Sequence, residues 1–306
     1  MDEQFASRDH ARDAQARLDG AGPQASLHEV FAGCSDELWY WVLTDGRRIN
    51  PAIARRLPRL PDPDIQSRFT ALSGDETFRQ AADSVAVFRE AARQHGLDFN
   101  TADLRLLDFG CGWGRITQVL LRDAEASNIT GVDIQQEAID ICIETGLDCD
   151  FALVEAWPPT ALPDGAYDMI VAYSVFSHLS EENHIAWVEE LAAKLKPGGI
   201  FTATTRPRSF ITMVAELRDR EDLPVHARGA AASFLDTDAW LDRYDRGEFC
   251  FDIAGSGGKE LVGFYGEAVV PQSFVTKAWG KFFSTVGMIT TQEHGAFDQN
   301  VIYAKK

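Results

Sequence analysis

Residues 104–117 carry the sequence LRLLDFGCGWGRIT, and this stretch decides the fold of the chain. It opens as a short apolar run, which is typical of a strand buried on both faces of a parallel sheet. Alternate glycines (Gly110, Gly112 and Gly114) then interrupt the run before helical apolar spacing begins at Ile116. A glycine turn between a strand and a helix presents backbone N–H groups to a ligand, and the missing side chains allow close approach.

The segments after this turn alternate between strand and helix. Apolar runs predict further strands over 128–133, 148–154, 167–173 and 200–205. Helical spacing and caps predict a helix over 135–144 and another that begins after Ser180 and ends before a turn at 197–199. This alternation predicts a doubly wound α/β fold.

Beyond residue 205 the pattern is mixed. It predicts helices over 210–217, 238–244 and 272–282, a hairpin of strands 248–253 and 260–265, and closing strands at 283–291 and 300–304. Residues 206–270 make a connection too long for a simple loop, which favours a lid of mixed helix and strand.

The N-terminal region differs in composition from the rest. Residues 1–26 are polar and rich in alanine, which predicts a frayed helix or a disordered tail. Apolar side chains over 27–45 predict a helical cap, and the prolines of 50–63 predict an extended connector. The predicted organisation is therefore a tail and helical cap at 1–70, followed by one main domain at 71–306 that contains the lid insertion.

Composition limits the function classes. The chain has 306 residues, 45% hydrophobic and 25% charged, so it can bury a globular core. Its net charge of −18 repels polyphosphate backbones and argues against nucleic acid as a substrate. Five cysteines without C-x-x-C spacing favour reduced thiols in a cytoplasmic protein over a zinc site. The sequence predicts no signal peptide, no membrane span and no metal, and it does not indicate an oligomeric state.

The spacing of the glycines in the turn limits which class of ligand it can bind. A dinucleotide fingerprint G-x-G-x-x-G would need glycine where Arg115 stands, and Asp108 lies within the end of the strand. The pattern D-x-G-x-G-x-G resembles the first motif of the class I S-adenosylmethionine-dependent methyltransferases. The segments Ser174-Val-Phe-Ser-His178 and Leu195-Lys-Pro-Gly-Gly199 resemble the same family, in its small-molecule type. The resemblance extends over about 104–205.

The resemblance implies a fold and a cofactor. The fold is a Rossmann-like seven-stranded sheet, mostly parallel with an antiparallel last strand. The cofactor is S-adenosyl-L-methionine, whose amino-acid end is wrapped by the glycine turn. The residues implied to contact it are Asp108, Gly110, Cys111, Gly112, Arg115, Asp133, Ile134, Glu155, Ala156, Tyr173 and Ser174.

Asp133 is the first partner expected for the turn, because it ends the second strand. A carboxylate there accepts hydrogen bonds from both ribose hydroxyls of an adenosine ligand. Asp133 is also a typical N-cap residue for the helix that follows, and it can both cap the helix and bind the ribose. After the third strand Glu155 is the nearest polar candidate for the adenine, and Trp157 is a candidate to cover its ring.

The implied reaction is a direct methyl displacement onto oxygen or nitrogen of a small-molecule acceptor. A hydroxyl acceptor needs a general base, for which His178 is the motif-linked candidate, although a structural histidine fits this position as well. Arg206 and Tyr265 are candidates to contact the substrate. Alternatively, Arg206 is an ordinary surface charge and Tyr265 is part of the core of the lid. A non-catalytic S-adenosylmethionine-binding partner protein and an NAD-dependent oxidoreductase remain the alternatives.

Overall fold

The structure is a computed structural model that describes residues 2–220, 222–223, 225–253 and 263–306. It divides into two compact units. The first unit comprises Met1–Arg93 and Asp98–Val154, and the second comprises Gln94–Leu97 and Glu155–Lys306. The domain boundary expected near residue 70 and the extent of the lid stay predictions.

The strands confirm the predicted fold class. They are β1 (Leu106–Phe109), β2 (Ile129–Asp133), β3 (Asp150–Leu153), β4 (Tyr167–Ala172), β5 (Leu195–Thr205), β6 (Cys250–Asp252), β7 (Glu267–Val269), β8 (Thr285–Ile289) and β9 (Asn300–Lys305). A seven-stranded sheet has the order β3-β2-β1-β4-β5-β9-β8. The pairs β1–β2, β2–β3 and β4–β5 are parallel, whereas β9 runs antiparallel to both of its neighbours.

The first unit adds helices around its strands. They are α1 (Asp2–Ala21), α2 (Leu27–Phe31), α3 (Asp36–Trp41), α4 (Arg47–Ile49), α5 (Pro51–Ala54), α6 (Pro63–Thr70), α7 (Gly74–Gln94), α8 (Arg115–Leu120) and α9 (Gln136–Glu144), with a π-helical turn at Val42–Gly46. Trp39 of α3 is buried and donates its Nε1–H to the carbonyl oxygen of Val119 at 2.8 Å. This contact packs the N-terminal helices against α8.

The segment 50–63 departs from the predicted extended connector. Helix α5 begins at Pro51 and α6 at Pro63, and each proline occupies the first turn of its helix. Proline fits there because the first N–H groups of a helix have no intrahelical partner. The Asn50 side chain accepts hydrogen bonds from the backbone N–H groups of Ala52 and Ile53, which caps α5. Pro51 and Pro63 therefore mark helix starts, whereas Pro58 and Pro61 lie in the non-helical stretch 55–62 between the two helices.

The second unit carries the remaining helices. They are α10 (Glu181–Lys194), α11 (Ser209–Leu217), α12 (Val225–Ala231), α13 (Thr237–Asp245), α14 (Gln272–Trp279) and α15 (Thr291–His294). As predicted, the Ser180 side chain caps α10 by accepting from the Asn183 N–H. The predicted turn at 197–199 lies inside β5, which shifts its register against β4 there. None of the helices in the described part of the chain has the length and hydrophobicity of a membrane span.

The predicted hairpin of 248–253 with 260–265 is wrong in its pairing. Strand β6 pairs antiparallel with β7, so that Cys250 lies opposite Val269. Part of the predicted partner, residues 260–262, lies outside the described residues. The apolar pattern located a strand but not its partner, because hydrophobicity alone does not specify which residues pair.

A buried histidine lies at the centre of the aromatic core in the second unit. His184 of α10 is completely buried, and its Nε2 accepts a hydrogen bond from Trp279 Nε1–H at 2.9 Å. The rings of Phe176 and Phe249 lie 4.8 and 5.2 Å from it. Burial lowers the pKa of His184 to about 3, so the side chain stays neutral in the folded protein at ordinary pH.

His184 should make the protein sensitive to mild acid. An unfolded chain binds a proton at His184 near pH ~6.5 and the folded chain does not, so stability falls as the pH drops below that value. When the pH falls from 7.5 to 5, His184 alone should lower the free energy of unfolding by ~2 kcal/mol. Urea unfolding at both values, compared between the wild type and His184→Gln, measures the contribution. Glutamine retains an acceptor for Trp279, and equal pH dependence in the two proteins would contradict the expectation.

Candidate functional site

The glycine turn after β1 is folded back onto the end of β2. The N–H groups of Gly110 and Cys111 both donate to the carbonyl oxygen of Val132, at 2.8 and 2.9 Å. Gly114 has φ +82, and a Cβ there would come 2.3 Å from a methyl carbon of Leu147. The positive φ and this close contact both favour glycine at 114, which allows the turn to pack against Leu147.

Asp133, at the end of β2, closes the turn through its side chain. Its Oδ2 accepts from the N–H of Gly112 at 2.9 Å, and its Oδ1 accepts from the N–H of Gln135 at 2.9 Å. Burial raises the pKa of Asp133, and these backbone N–H groups oppose that shift. An ionised carboxylate has about four acceptor positions, so each oxygen retains a lone pair for a further donor such as a ribose hydroxyl. These residues therefore fit an adenosyl group.

Asp108 and Arg115 support the turn from inside the first unit. Asp108 is buried, and its Oδ2 accepts from Thr117 Oγ1–H at 2.6 Å. Burial raises the pKa of Asp108 to about 7, whereas Thr117 opposes the shift. Arg115 donates from Nη1 to Gln80 Oε1 at 2.7 Å, which connects α8 with α7. Their contact with a cofactor stays a prediction.

Two cysteine thiols lie against the carbonyl oxygen of the turn. Cys142 Sγ and Cys111 Sγ are 3.3 and 3.7 Å from the Gly112 oxygen. The Cys142 thiol, followed by burial, raises the pKa of Cys111 well above its usual range. A buried thiol with a raised pKa is unreactive, and the contact of Cys111 with a cofactor stays a prediction. Ile134, the next predicted contact, is half-buried.

The second unit carries the residues predicted after the third strand. Glu155 is exposed, while the carbonyl oxygen of Ala156 accepts from Asn183 Nδ2 at 3.0 Å and from Trp187 Nε1 at 3.2 Å. Trp157 is 38% exposed, and its ring lies 6.1 Å from that of Phe264. The backbone at Ala156 is thus fixed to α10, while a large aromatic surface beside it remains open to solvent.

The end of β4 holds Tyr173 and Ser174. Tyr173 is buried, with its ring 5.9 Å from that of Phe297. Ser174 adopts φ +59, a left-handed conformation that is uncommon for residues other than glycine. Its N–H donates to Thr204 Oγ1 at 2.7 Å, and its Oγ accepts from Gln299 Nε2 at 3.1 Å. These bonds hold a strained backbone at a strand end, where functional residues concentrate.

His178 lies in the loop after β4 and is held on three sides. Its Nδ1 is 2.8 Å from the carbonyl oxygen of Gly266 and 3.8 Å from Glu267 Oε2. The ring of Tyr265 stacks on it, with centroids 4.9 Å apart and planes 9° from parallel. A carbonyl oxygen only accepts, so we assign the proton of the neutral imidazole to Nδ1 and the lone pair to Nε2. Burial lowers the pKa of His178, an effect that Glu267 opposes and Arg206 reinforces.

Arg206 and Tyr265, predicted from the sequence, both lie beside His178. Arg206 Nε pairs with Glu267 Oε2 at 3.3 Å, and its guanidinium lies 4.5 Å from the centre of the Phe210 ring. Sequence reasoning missed Glu267. It lies in the poorly patterned region after β5, and only its pairing with the 177–180 loop, through Gly266 and Ala268, places it near His178.

Comparison with known proteins agrees with this geometry. Residues 106–199 match the family model described as Methyltransferase domain. A cyclopropane-fatty-acyl-phospholipid synthase of Escherichia coli is 27% identical over 143 residues, which are 46% of this chain and 30% of that protein. A ubiquinone biosynthesis O-methyltransferase of Burkholderia thailandensis is 28% identical over 105 residues, 33% of this chain and 44% of that protein. The chain thus spans less than half the length of these relatives.

A solved S-adenosylmethionine-dependent methyltransferase from Clostridium acetobutylicum is similar in structure. It superposes with a TM-score of 0.48 at 14% sequence identity, over 74% of this chain and 90% of that one. The match to the family lies on the segment that contains β1, the glycine turn, Asp133 and the loop of His178. The resemblance predicted from the glycine turn is therefore confirmed over residues 106–199, the segment that matches the methyltransferase-domain family model.

Proposed function

We propose that this chain transfers a methyl group from S-adenosylmethionine to an oxygen or nitrogen atom of a small molecule. The observation that carries the proposal is the arrangement of Asp133 and the glycine turn. The carboxylate is fixed by backbone N–H groups on both oxygens and still has lone pairs that match a pair of ribose hydroxyls. The family of residues 106–199 supports the same reading.

The residues proposed to hold the cofactor divide by role. In the first unit, the backbone of Gly110 and Gly112 would approach its amino-acid end, and Asp133 would bind the ribose. Asp108 and Arg115 would keep the turn in shape through their bonds to Thr117 and Gln80. In the second unit, Glu155, Ala156, Tyr173 and Ser174 remain proposed contacts. When bound, the cofactor supplies an electrophilic methyl group that requires little further activation.

His178 is the residue proposed to handle the proton. The bond from Nδ1–H to Gly266 leaves the Nε2 lone pair as the basic site. The pKa of His178 is lowered by burial, so the imidazole is neutral near pH 7 and able to accept a proton. Nε2 would accept the proton that the acceptor hydroxyl or amine gives up when the methyl group passes to it, while the methyl–sulfur bond breaks and S-adenosylhomocysteine leaves with the bonding electron pair.

A small molecule is the proposed acceptor class. The net charge of −18 disfavours a polyanionic substrate, and the exposed ring of Trp157, beside the buried Phe264 and the half-buried Tyr265, suits contact with a compact organic molecule. All five cysteines lie in the described part of the chain and are free, which supports the proposed cytoplasmic location.

Replacing the ribose-binding carboxylate should weaken cofactor binding. Asp133→Ala removes the proposed acceptor of both hydroxyls and should reduce the affinity for S-adenosylmethionine by ~1–3 kcal/mol, as expected when buried polar partners are left unpaired. Isothermal titration calorimetry measures this change. Asp140→Ala, which removes an exposed carboxylate from α9, is the matched control and should bind as the wild type does. Unchanged affinity in Asp133→Ala would exclude the ribose role, and heat of binding from NAD⁺ would favour the oxidoreductase alternative.

Removing the proposed base should separate turnover from binding. His178→Gln should reduce methyl transfer by about 10²–10⁴-fold, the usual contribution of a positioned base, with cofactor affinity unchanged. The assay follows transfer of tritiated methyl from S-adenosylmethionine to a panel of phenols and aliphatic amines, and His10→Gln serves as the control histidine. A wild-type rate in His178→Gln would make this histidine structural. Tight cofactor binding without transfer to any acceptor would favour the non-catalytic alternative.

A further inference from the structure

Four side chains of the second unit form one connected cluster: Arg206, Glu267, His178 and Tyr265. We infer that Glu267 is a positioning residue that acts through His178 by stabilising its protonated form, and that Arg206 holds Glu267 in place. This inference rests on the proposed function, because it assigns Glu267 a part in the proton transfer to His178.

The backbone brings Glu267 to His178 through a short ladder of hydrogen bonds. The N–H of Gly266 donates to the carbonyl oxygen of His178 at 2.7 Å, and the N–H of Ala268 donates to that of Ser177 at 2.8 Å. On the other side, the N–H of Ser180 donates to the carbonyl oxygen of Phe264 at 2.7 Å. Because residues before and after Glu267 are fixed to the loop of His178, the carboxylate cannot move far from the imidazole.

The two acceptors near Nδ1 have different tasks. The carbonyl oxygen of Gly266, at 2.8 Å, takes the Nδ1–H bond and fixes the ring orientation and tautomer. The Oε2 of Glu267, at 3.8 Å, is beyond hydrogen-bond distance but within range of a strong charge interaction. The attraction between the Glu267 carboxylate and the ring therefore becomes stronger when Nε2 takes a proton and the ring becomes a cation.

The surroundings make this charge interaction effective. The side chains of His178 and Glu267 are only 15% and 12% exposed, so water screens them weakly. Tyr265 covers one face of the imidazole. An imidazolium in such a place needs a nearby carboxylate to offset the loss of hydration.

Arg206 orients the carboxylate from the other side. Its Nε pairs with the same Oε2 atom at 3.3 Å, and its side chain is 17% exposed. The Phe210 ring under the guanidinium and Asp298, 3.9 Å from Nη1, help to hold it. Arg206 is also a cation near His178 and disfavours its protonation, so Glu267 and Arg206 act on the imidazole with opposite signs.

Nuclear magnetic resonance titration of the histidine rings tests this arrangement without an acceptor. The full chain is labelled with ¹³C and ¹⁵N at histidine, and the His178 signal is assigned by its loss in His178→Gln. Glu267→Gln keeps the size of the side chain and removes its charge, so the pKa of His178 should fall by about one unit, a tenfold weaker proton affinity. Arg206→Gln retains the carboxylate and removes the cation, so the same pKa should rise.

Glu189→Gln is the matched control, because it removes an exposed carboxylate from α10 and should leave the titration of His178 unchanged. Opposite shifts in Glu267→Gln and Arg206→Gln support the inference. An unshifted His178 pKa in Glu267→Gln overturns it. If that variant does not fold, Glu267→Asp, which withdraws the carboxylate by one methylene group, replaces it; a lowered His178 pKa there supports the inference and an unshifted one overturns it. These results do not depend on methyl transfer. If His178→Gln retains full transfer activity the proposed function of His178 fails, even where the titration behaves as expected.

Discussion

The hydrogen bonds between the Asp133 carboxylate and the backbone of the glycine turn are the constraint on which the candidate cofactor site depends. One carboxylate oxygen accepts from Gly112 and the other from Gln135, so a single side chain fixes the turn and the start of α9 together. The turn is also held by the hydrogen bonds that the N–H groups of Gly110 and Cys111 donate to the carbonyl oxygen of Val132. These N–H groups are already bonded within the protein, whereas the carboxylate keeps spare lone pairs that a ligand could use.

In the second unit, the contacts around His178 keep a neutral imidazole in a fixed orientation. His178 is oriented by a carbonyl oxygen, covered by an aromatic ring and faced by a carboxylate that an arginine restrains. His184, only six positions along the chain, is also neutral, but it lies in an apolar core with a tryptophan N–H as its partner. Of these two histidines, His178 is the one with a carboxylate beside it to stabilise a protonated ring, which supports the proton-transfer role proposed for it.

The sequence predicted local features well where a short motif determines them. The glycine spacing after β1, the acidic end of β2 and the Ser180 cap all involve residues close in the chain, so their chemistry is visible without the fold. Prediction failed where distant segments meet. The approach of Glu267 to His178 joins residues far apart in sequence, and the pairing of β6 with β7 depends on register; hydrophobic patterning specifies neither. At Pro51 and Pro63 the prediction of extended chain was wrong because proline is compatible with the first turn of a helix as well as with extended chain.

We propose that the glycine turn and Asp133 form the binding site for the adenosyl group of a sulfonium methyl donor. The decisive test is a crystal structure of the protein soaked with S-adenosylhomocysteine. Both ribose hydroxyls should lie within hydrogen-bond distance of the Asp133 carboxylate, and the amino-acid end of the ligand should lie against the backbone of Gly110 and Gly112. Density for the ligand away from this turn, or a ribose without contact to Asp133, would contradict it.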